Sequence, residues 1–94
     1  MVVGICTLEL GLPGNGSLKD KRSVLKPLLL RMRREFNISV AEVDHLDAWR
    51  SATVGVAAVS NDAAYLHGLF EKLVGWIESS HLGVQVDDWQ VEIV

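Results

Sequence analysis

Lys19, Arg22, Lys26 and Arg33 are separated by three, four and seven residues, a spacing that gathers side chains on one flank of an α-helix. Cations arranged this way suit phosphate groups, and each such contact adds a salt-dependent term to nucleic-acid affinity. Lys21 lies in the same stretch and adds to its charge. Immediately upstream, Pro13, Gly14, Asn15 and Gly16 form a turn cluster leading into Ser17. The backbone amides at Gly14, Gly16 and Ser17, with the helix N-terminus that follows, are able to receive an anion. The candidate nucleic-acid contacts are therefore Lys19, Lys21, Arg22, Lys26 and Arg33, with Gly14, Gly16 and Ser17 as the anion-binding loop. The same stripe also suits a solvated flank whose long stems cover apolar surface.

The charge distribution sharpens that choice. The net charge is −3, yet positions 19–34 hold seven of the nine basic residues and only Asp20 of the twelve acidic ones. That segment carries +6 and the remainder −9. One basic surface on an otherwise acidic molecule points to an anionic partner.

Other chemistries find less support. His45 and Asp47 sit two apart, but His67 falls mid-helix and His81 in a late turn, with no ligand spacing among them. Asp87 and Asp88 are adjacent on a strand and point to opposite faces, a poor acid/base pair. No Gly-rich phosphate loop, nucleophile elbow or HExxH pattern occurs. Trp49, Trp76 and Trp89 read as packing residues, with Trp49 the most open to another role because it neighbours Arg50 in a loop. The expectation is no catalytic residue, no metal and no cofactor.

These residues must be positioned by a small frame. A chain of 94 residues fits one domain, spanning 1–94. Hydrophobic residues at 49% and charged residues at 22% suit a globular core and exclude disorder. Cys6, the single cysteine, can form no internal disulfide and reads as a small buried hydrophobe. The uncharged run 51–61 is too short to span a bilayer, and the N-terminus opens on a strand-like run without a basic leader. The expected location is cytoplasmic, away from membranes.

Alternation over Val2 to Leu12 predicts a half-buried strand, with Cys6, Leu8, Leu10 and Leu12 inward and Thr7, Glu9 and Gly11 outward. Ser17 and Asp20 resemble a capping box for a helix reaching Glu35, with Leu18, Leu25, Leu28, Leu29, Met32 and Phe36 on one side. Pro27 either kinks that helix or marks a restart capped by Ser23. Ile38 to Asp44 predicts a second strand, His45 to Trp49 a loop and Arg50 to Ser60 a third strand. Asn61 is the expected N-cap of a helix to Ser79 that buries Leu66, Phe70, Leu73, Val74 and Ile77. His81 and Gly83 occupy the following turn, and Val84 to Val94 forms a last strand bulged at Asp87 and Asp88.

The order βαββαβ with right-handed crossovers gives a ferredoxin-like sandwich: a four-stranded antiparallel sheet in the order 4-1-3-2, with both helices on one face. The open face is then expected to show Thr7 and Glu9, no aromatic from the third strand, and added negative charge from Glu42, Asp44 and Glu92. Base stacking on such a face, as in RNA-recognition domains of this fold, is disfavoured.

Three stretches resemble the YlxP-like family of small bacterial proteins: Ser17-Leu18-Lys19-Asp20-Lys21-Arg22, then Phe36 to Val43, then Ala52-Thr53-Val54-Gly55-Val56 running on to Val59-Ser60-Asn61-Asp62. The resemblance covers essentially the whole chain. It implies a ferredoxin-like fold and a gene neighbourhood shared with translation-initiation and ribosome-maturation factors. It carries no catalytic residues, and Pro27 departs from the family pattern. The expected function is that of a non-enzymatic factor touching structured RNA, ribosomal RNA or a ribosomal subunit, through the basic helix and its loop. The alternative is a protein-interaction or homodimer module using the acidic open face or an edge strand, where Val91, Ile93 and Val94 offer apolar side chains.

Overall fold

The computed structural model describes residues 1–80 and 83–94, so the position predicted for His81 lies outside the described residues. Strand β1 (Val2–Gly11) is followed by helix α1 (Leu18–Glu35), strands β2 (Ser39–Asp44) and β3 (Ser51–Ser60), helix α2 (Ala63–Ser80) and strand β4 (Gln85–Ile93). The sheet order is β2-β3-β1-β4, antiparallel throughout. This is the predicted ferredoxin-like α+β sandwich, with β1 and β3 central.

Register decides which side chains meet. Cys6 stands opposite Val56 and Val91, and Leu8 opposite Val54 and Trp89, so these positions share the inner face. Cys6, Leu8, Leu10 and Leu12 are all buried, as the alternation requires. Helix α2 seals this face with Leu66, Phe70, Leu73, Val74 and Ile77, each buried. Burial of such a side chain stabilises the fold by about 1.5–3 kcal/mol. Gly4 permits the close approach of α2: a Cβ there would stand 2.8 Å from Phe70 Cε2.

Ser17 caps α1 by accepting a hydrogen bond from the Asp20 amide at 3.0 Å. The helix continues through Pro27 to Glu35 without the restart at Ser23. Instead, the Ser23 hydroxyl donates back to the Asp20 carbonyl at 2.7 Å, inside the first two turns of the helix. At the start of α2 the expected cap shifts by one residue. Asp62, rather than Asn61, accepts from the Ala64 amide at 2.9 Å. The predicted bulge in β4 falls at Asp87, since the pairing steps from Glu9 with Asp88 to Leu10 with Val86.

Of the three apolar side chains expected at the β4 edge, two turn inward and Val94 stays exposed. Val91 and Ile93 pack against the core, while Val94 exchanges backbone hydrogen bonds with Val3 at 3.0 and 2.8 Å. No helix among the described residues is long and apolar enough to cross a membrane.

Candidate nucleic-acid interface

Helix α1 packs closest to β2, and its inward row is Lys21, Leu25, Leu28 and Met32. The opposite flank carries Lys19, Arg22, Lys26 and Arg33, all exposed. Arg33 is partly engaged, its Nη2 donating to the Val40 carbonyl of β2 at 2.8 Å. Lys19, Arg22 and Lys26 form no ion pair among the described residues. Arg31 lies outside the stripe, its guanidinium 5.8 Å from the Trp76 ring centroid. Trp76 also meets Phe36 edge-on at 5.5 Å, as a packing residue should, whereas Trp49 is 52% exposed.

Lys21 does not belong to the exposed interface. Only 2% of it is accessible, and its ammonium lies 2.6 Å from Glu42 Oε2 and 2.8 Å from the His45 carbonyl. Its place follows from the helix period: positions 21, 25, 28 and 32 are spaced four, three and four, which is the core row. A lysine there needs a counter-charge, and Glu42 supplies it. Glu42 stands opposite Val54 on the inner face, so its expected contribution to open-face charge is also corrected.

The anion-binding loop is already occupied by the chain itself. Gly16 donates its amide to Asp20 Oδ2 at 2.9 Å, while the Ser17 hydroxyl takes the Asp20 amide. An incoming phosphate would meet a carboxylate at the spot where amides were expected to be free. Gly14 is exposed, but neither it nor Gly16 adopts a positive φ. The turn is instead fastened to the β2–β3 connection. Asn15 Nδ2 donates to the Trp49 carbonyl at 3.2 Å, and Arg50 Nε donates to the Asn15 carbonyl at 2.9 Å.

Between the α1 flank and the β2–β3 connection lies a groove of about 330 Å³. Leu18, Leu25 and Leu29 wall one side and Leu46 the other. Lys21 and Glu42 form its floor, with the exposed Arg22, Lys26 and Asp47 around its rim. The connection that supplies Leu46 and Asp47 is well tied. His45 adopts φ +59°, its amide donates to Asp44 Oδ1 at 2.7 Å, and its carbonyl accepts from Ala48 at 3.0 Å as well as from Lys21.

One constellation leaves no signal in the sequence. On the open face the Thr53 hydroxyl donates to Glu9 Oε2 and stands 2.8 Å from His45 Nδ1. Because the hydroxyl proton goes to the carboxylate, Nδ1 carries the proton it shares with Thr53, which leaves Nε2 as the ring's other nitrogen. Glu9 and Thr53 are cross-strand partners, so their meeting depends on register; no spacing along the chain reveals it. Among the described residues no three His, Cys, Asp or Glu side chains gather as metal ligands.

The rest of the open face is less acidic than expected and more apolar. Ile5, Ala41, Val43, Gly55 and Ala57 line a shallow depression of about 280 Å³, and Val43 and Val59 are 58% and 62% exposed. Aromatic side chains do not line this depression.

Comparison with known proteins places the chain among similar ones. Residues 3–91 match the family model described as "Protein of unknown function (DUF503)". A curated relative, "Uncharacterized protein YlxP" of Bacillus subtilis (strain 168), is 33% identical over 78 residues, covering 83% of this chain and 85% of the relative. Among solved structures, the apo form of LarC2, the C-terminal domain of a cyclometallase involved in the synthesis of the NPN cofactor of lactate racemase, aligns with a TM-score of 0.43 at 12% identity. That alignment covers all of this chain and 56% of the other, so the chain spans little more than half of that structure. With a family model matched over nearly its full length and a YlxP relative at this identity, the chain belongs to the DUF503 family of YlxP-like proteins.

Proposed function

We propose that this protein is a non-enzymatic, cytoplasmic factor that binds structured RNA, ribosomal RNA in the first instance, through the exposed flank of α1. The observation that carries the reading is the state of the charges on that flank. Asp20, the one acid in the basic segment, is turned onto the Gly16 amide, and Lys19, Arg22 and Lys26 are left without ion pairs among the described residues. Three unneutralised cations at helical spacing follow a phosphate backbone, and binding to it releases the counterions of the nucleic acid. Lys21, Gly16 and Ser17 act behind this surface, holding the helix and its entry turn in place.

The test is co-sedimentation with ribosomal subunits at low and high salt, together with the salt dependence of affinity for an RNA duplex. Pelleting is expected at low salt only. Reversing Lys19, Arg22 and Lys26 to Glu should abolish it, and changing the three to Ala should lower the slope of log affinity against log salt by about 3. RNA affinity untouched by the reversal would refute this surface.

A second reading, a homodimer through the open sheet face, draws on the exposed Val43 and Val59 flanking Ile5, Ala41 and Ala57. Absence of pelleting at any salt would favour it over the RNA reading.

A further inference from the structure

The groove beside the basic flank has a composition that a bare phosphate-binding surface does not need. It has leucine walls, two cations on one rim and a carboxylate on the other. A duplex backbone would use Arg22 and Lys26 and leave the walls and Asp47 idle. A single unstacked nucleotide uses all three. Its flat base is accommodated between apolar walls, its phosphate pairs with the cations, and its Watson–Crick edge faces the carboxylate.

The carboxylate narrows the base. An ionised Asp only accepts hydrogen bonds, and it can accept two in parallel from donors set side by side. Guanine presents such a pair on its Watson–Crick edge, N1–H beside the N2 amino group. Uracil offers one donor flanked by two acceptors, which the carboxylate repels. We infer that the groove between α1 and the β2–β3 connection takes one unpaired guanosine of an RNA chain, with its base among Leu18, Leu25, Leu29 and Leu46, its donor edge on Asp47 and its phosphate on Arg22 and Lys26. This inference rests on the RNA-binding reading and specifies what that surface selects.

The buried ion pair then gains a role in the site. Lys21 reaches across from α1 to the His45 carbonyl, and His45 immediately precedes Leu46 and Asp47. Lys21 is thus a positioning residue, setting the far wall of the groove before any ligand arrives.

The inference is tested with the intact protein and four labelled RNA hairpins: fully paired, with one bulged G, with one bulged U, and with one abasic bulge. The bulged-G hairpin is expected to bind about tenfold more tightly than the paired one, equivalent to about 1.4 kcal/mol. The bulged-U and abasic hairpins should bind like the paired one. Asp47→Ala should bring the bulged-G to paired ratio close to one. Using the ratio removes the general rise in RNA affinity that loss of a negative charge produces. Equal affinity for all four hairpins overturns the groove assignment alone and leaves the basic-flank reading standing. Failure to bind any of them at low salt overturns both. Free guanosine monophosphate binding as tightly as the bulged hairpin would overturn RNA as the source and make the occupant a mononucleotide.

Discussion

Helices α1 and α2 each have 18 residues and cover the same face of the sheet, yet they close it by different physics. Helix α2 packs against β1, β3 and β4 and contributes an unbroken apolar row from Leu66 to Ile77. Helix α1 packs against β2, and its core row opens with Lys21. On one side the core is sealed by burial alone. On the other it is closed by an ion pair that also ties down a loop. On the proposed reading, α2 serves as scaffold, whereas α1 and the connection it holds by the Lys21 tie present the surface offered to RNA.

The largest expected effect comes from breaking the ion pair. Lys21→Met leaves Glu42 half-buried without its counter-charge and removes the tie to the His45 carbonyl. The expected cost is about 3 kcal/mol, read as a lower urea midpoint with an unchanged slope. Replacing both partners, Lys21→Met with Glu42→Leu, should recover most of that loss, because no uncompensated charge remains. Stability in the double variant as low as in the single one would show that the tie to the loop, rather than the charge pairing, dominates.

How much of this was legible in the sequence follows from the same contrast. Helix α2, all four strands and the bulge at Asp87 emerge from periodicity and turn residues, because there the burial pattern alone decides the structure. Lys21 reads as a surface cation by residue type, although the row 21, 25, 28, 32 places it on the inward side. The missing information was Glu42, a partner on another element whose face depends on the pairing with β3. Gly16 and Ser17 failed as an anion site for a related reason: the Asp20 that completes the capping motif also fills the turn. The groove and the Glu9–Thr53–His45 chain needed register and the left-handed His45, neither of which spacing along the chain encodes.

A smaller effect separates two buried ionisable groups, Lys21 and Cys6. Lys21 has a partner, but Cys6 lies fully buried on the inner face of β1, and burial pushes its thiol from 9.0 up to about 11. The unfolded chain releases this proton near pH 9 while the folded protein retains it. The resulting stability is complete below pH 9 and is lost as pH rises through about 11. The full loss should be about 2–3 kcal/mol. Urea unfolding at pH 8 and pH 10.5 would show it as a steeper decline in the native protein than in Cys6→Ala. Comparing the two slopes cancels the other groups that titrate in this range. Parallel slopes would mean that water reaches the thiol and that the sealed half of the core is less sealed than its packing implies.

The smallest effects compare the weak point of each helix. Pro27 interrupts α1 at an exposed position, depriving the Ser23 carbonyl of its helical hydrogen bond. Gly75 is exposed in α2, and a Cβ there meets nothing within 4 Å. Pro27→Ala restores the backbone donor but loosens the unfolded chain, so a net gain of about 1 kcal/mol is expected. Gly75→Ala should gain about 0.5–1 kcal/mol by stiffening the unfolded chain and favouring helix. In a domain of this size the two gains correspond to Tm increases of roughly 3–8 °C. RNA affinity adds the discriminating measurement. Gly75 lies on the scaffold helix, so its substitution should leave affinity unchanged. Pro27 sits between Lys26 and the Leu30–Arg33 turn, beside the cationic flank. If Pro27→Ala raises Tm without changing RNA affinity, α1 tolerates the proline, and the flank binds as a rigid row whichever residue is present. If affinity falls while Tm rises, the local relaxation at Pro27 is part of how the cations meet the phosphates, and the division into scaffold and binding helix extends to the backbone itself.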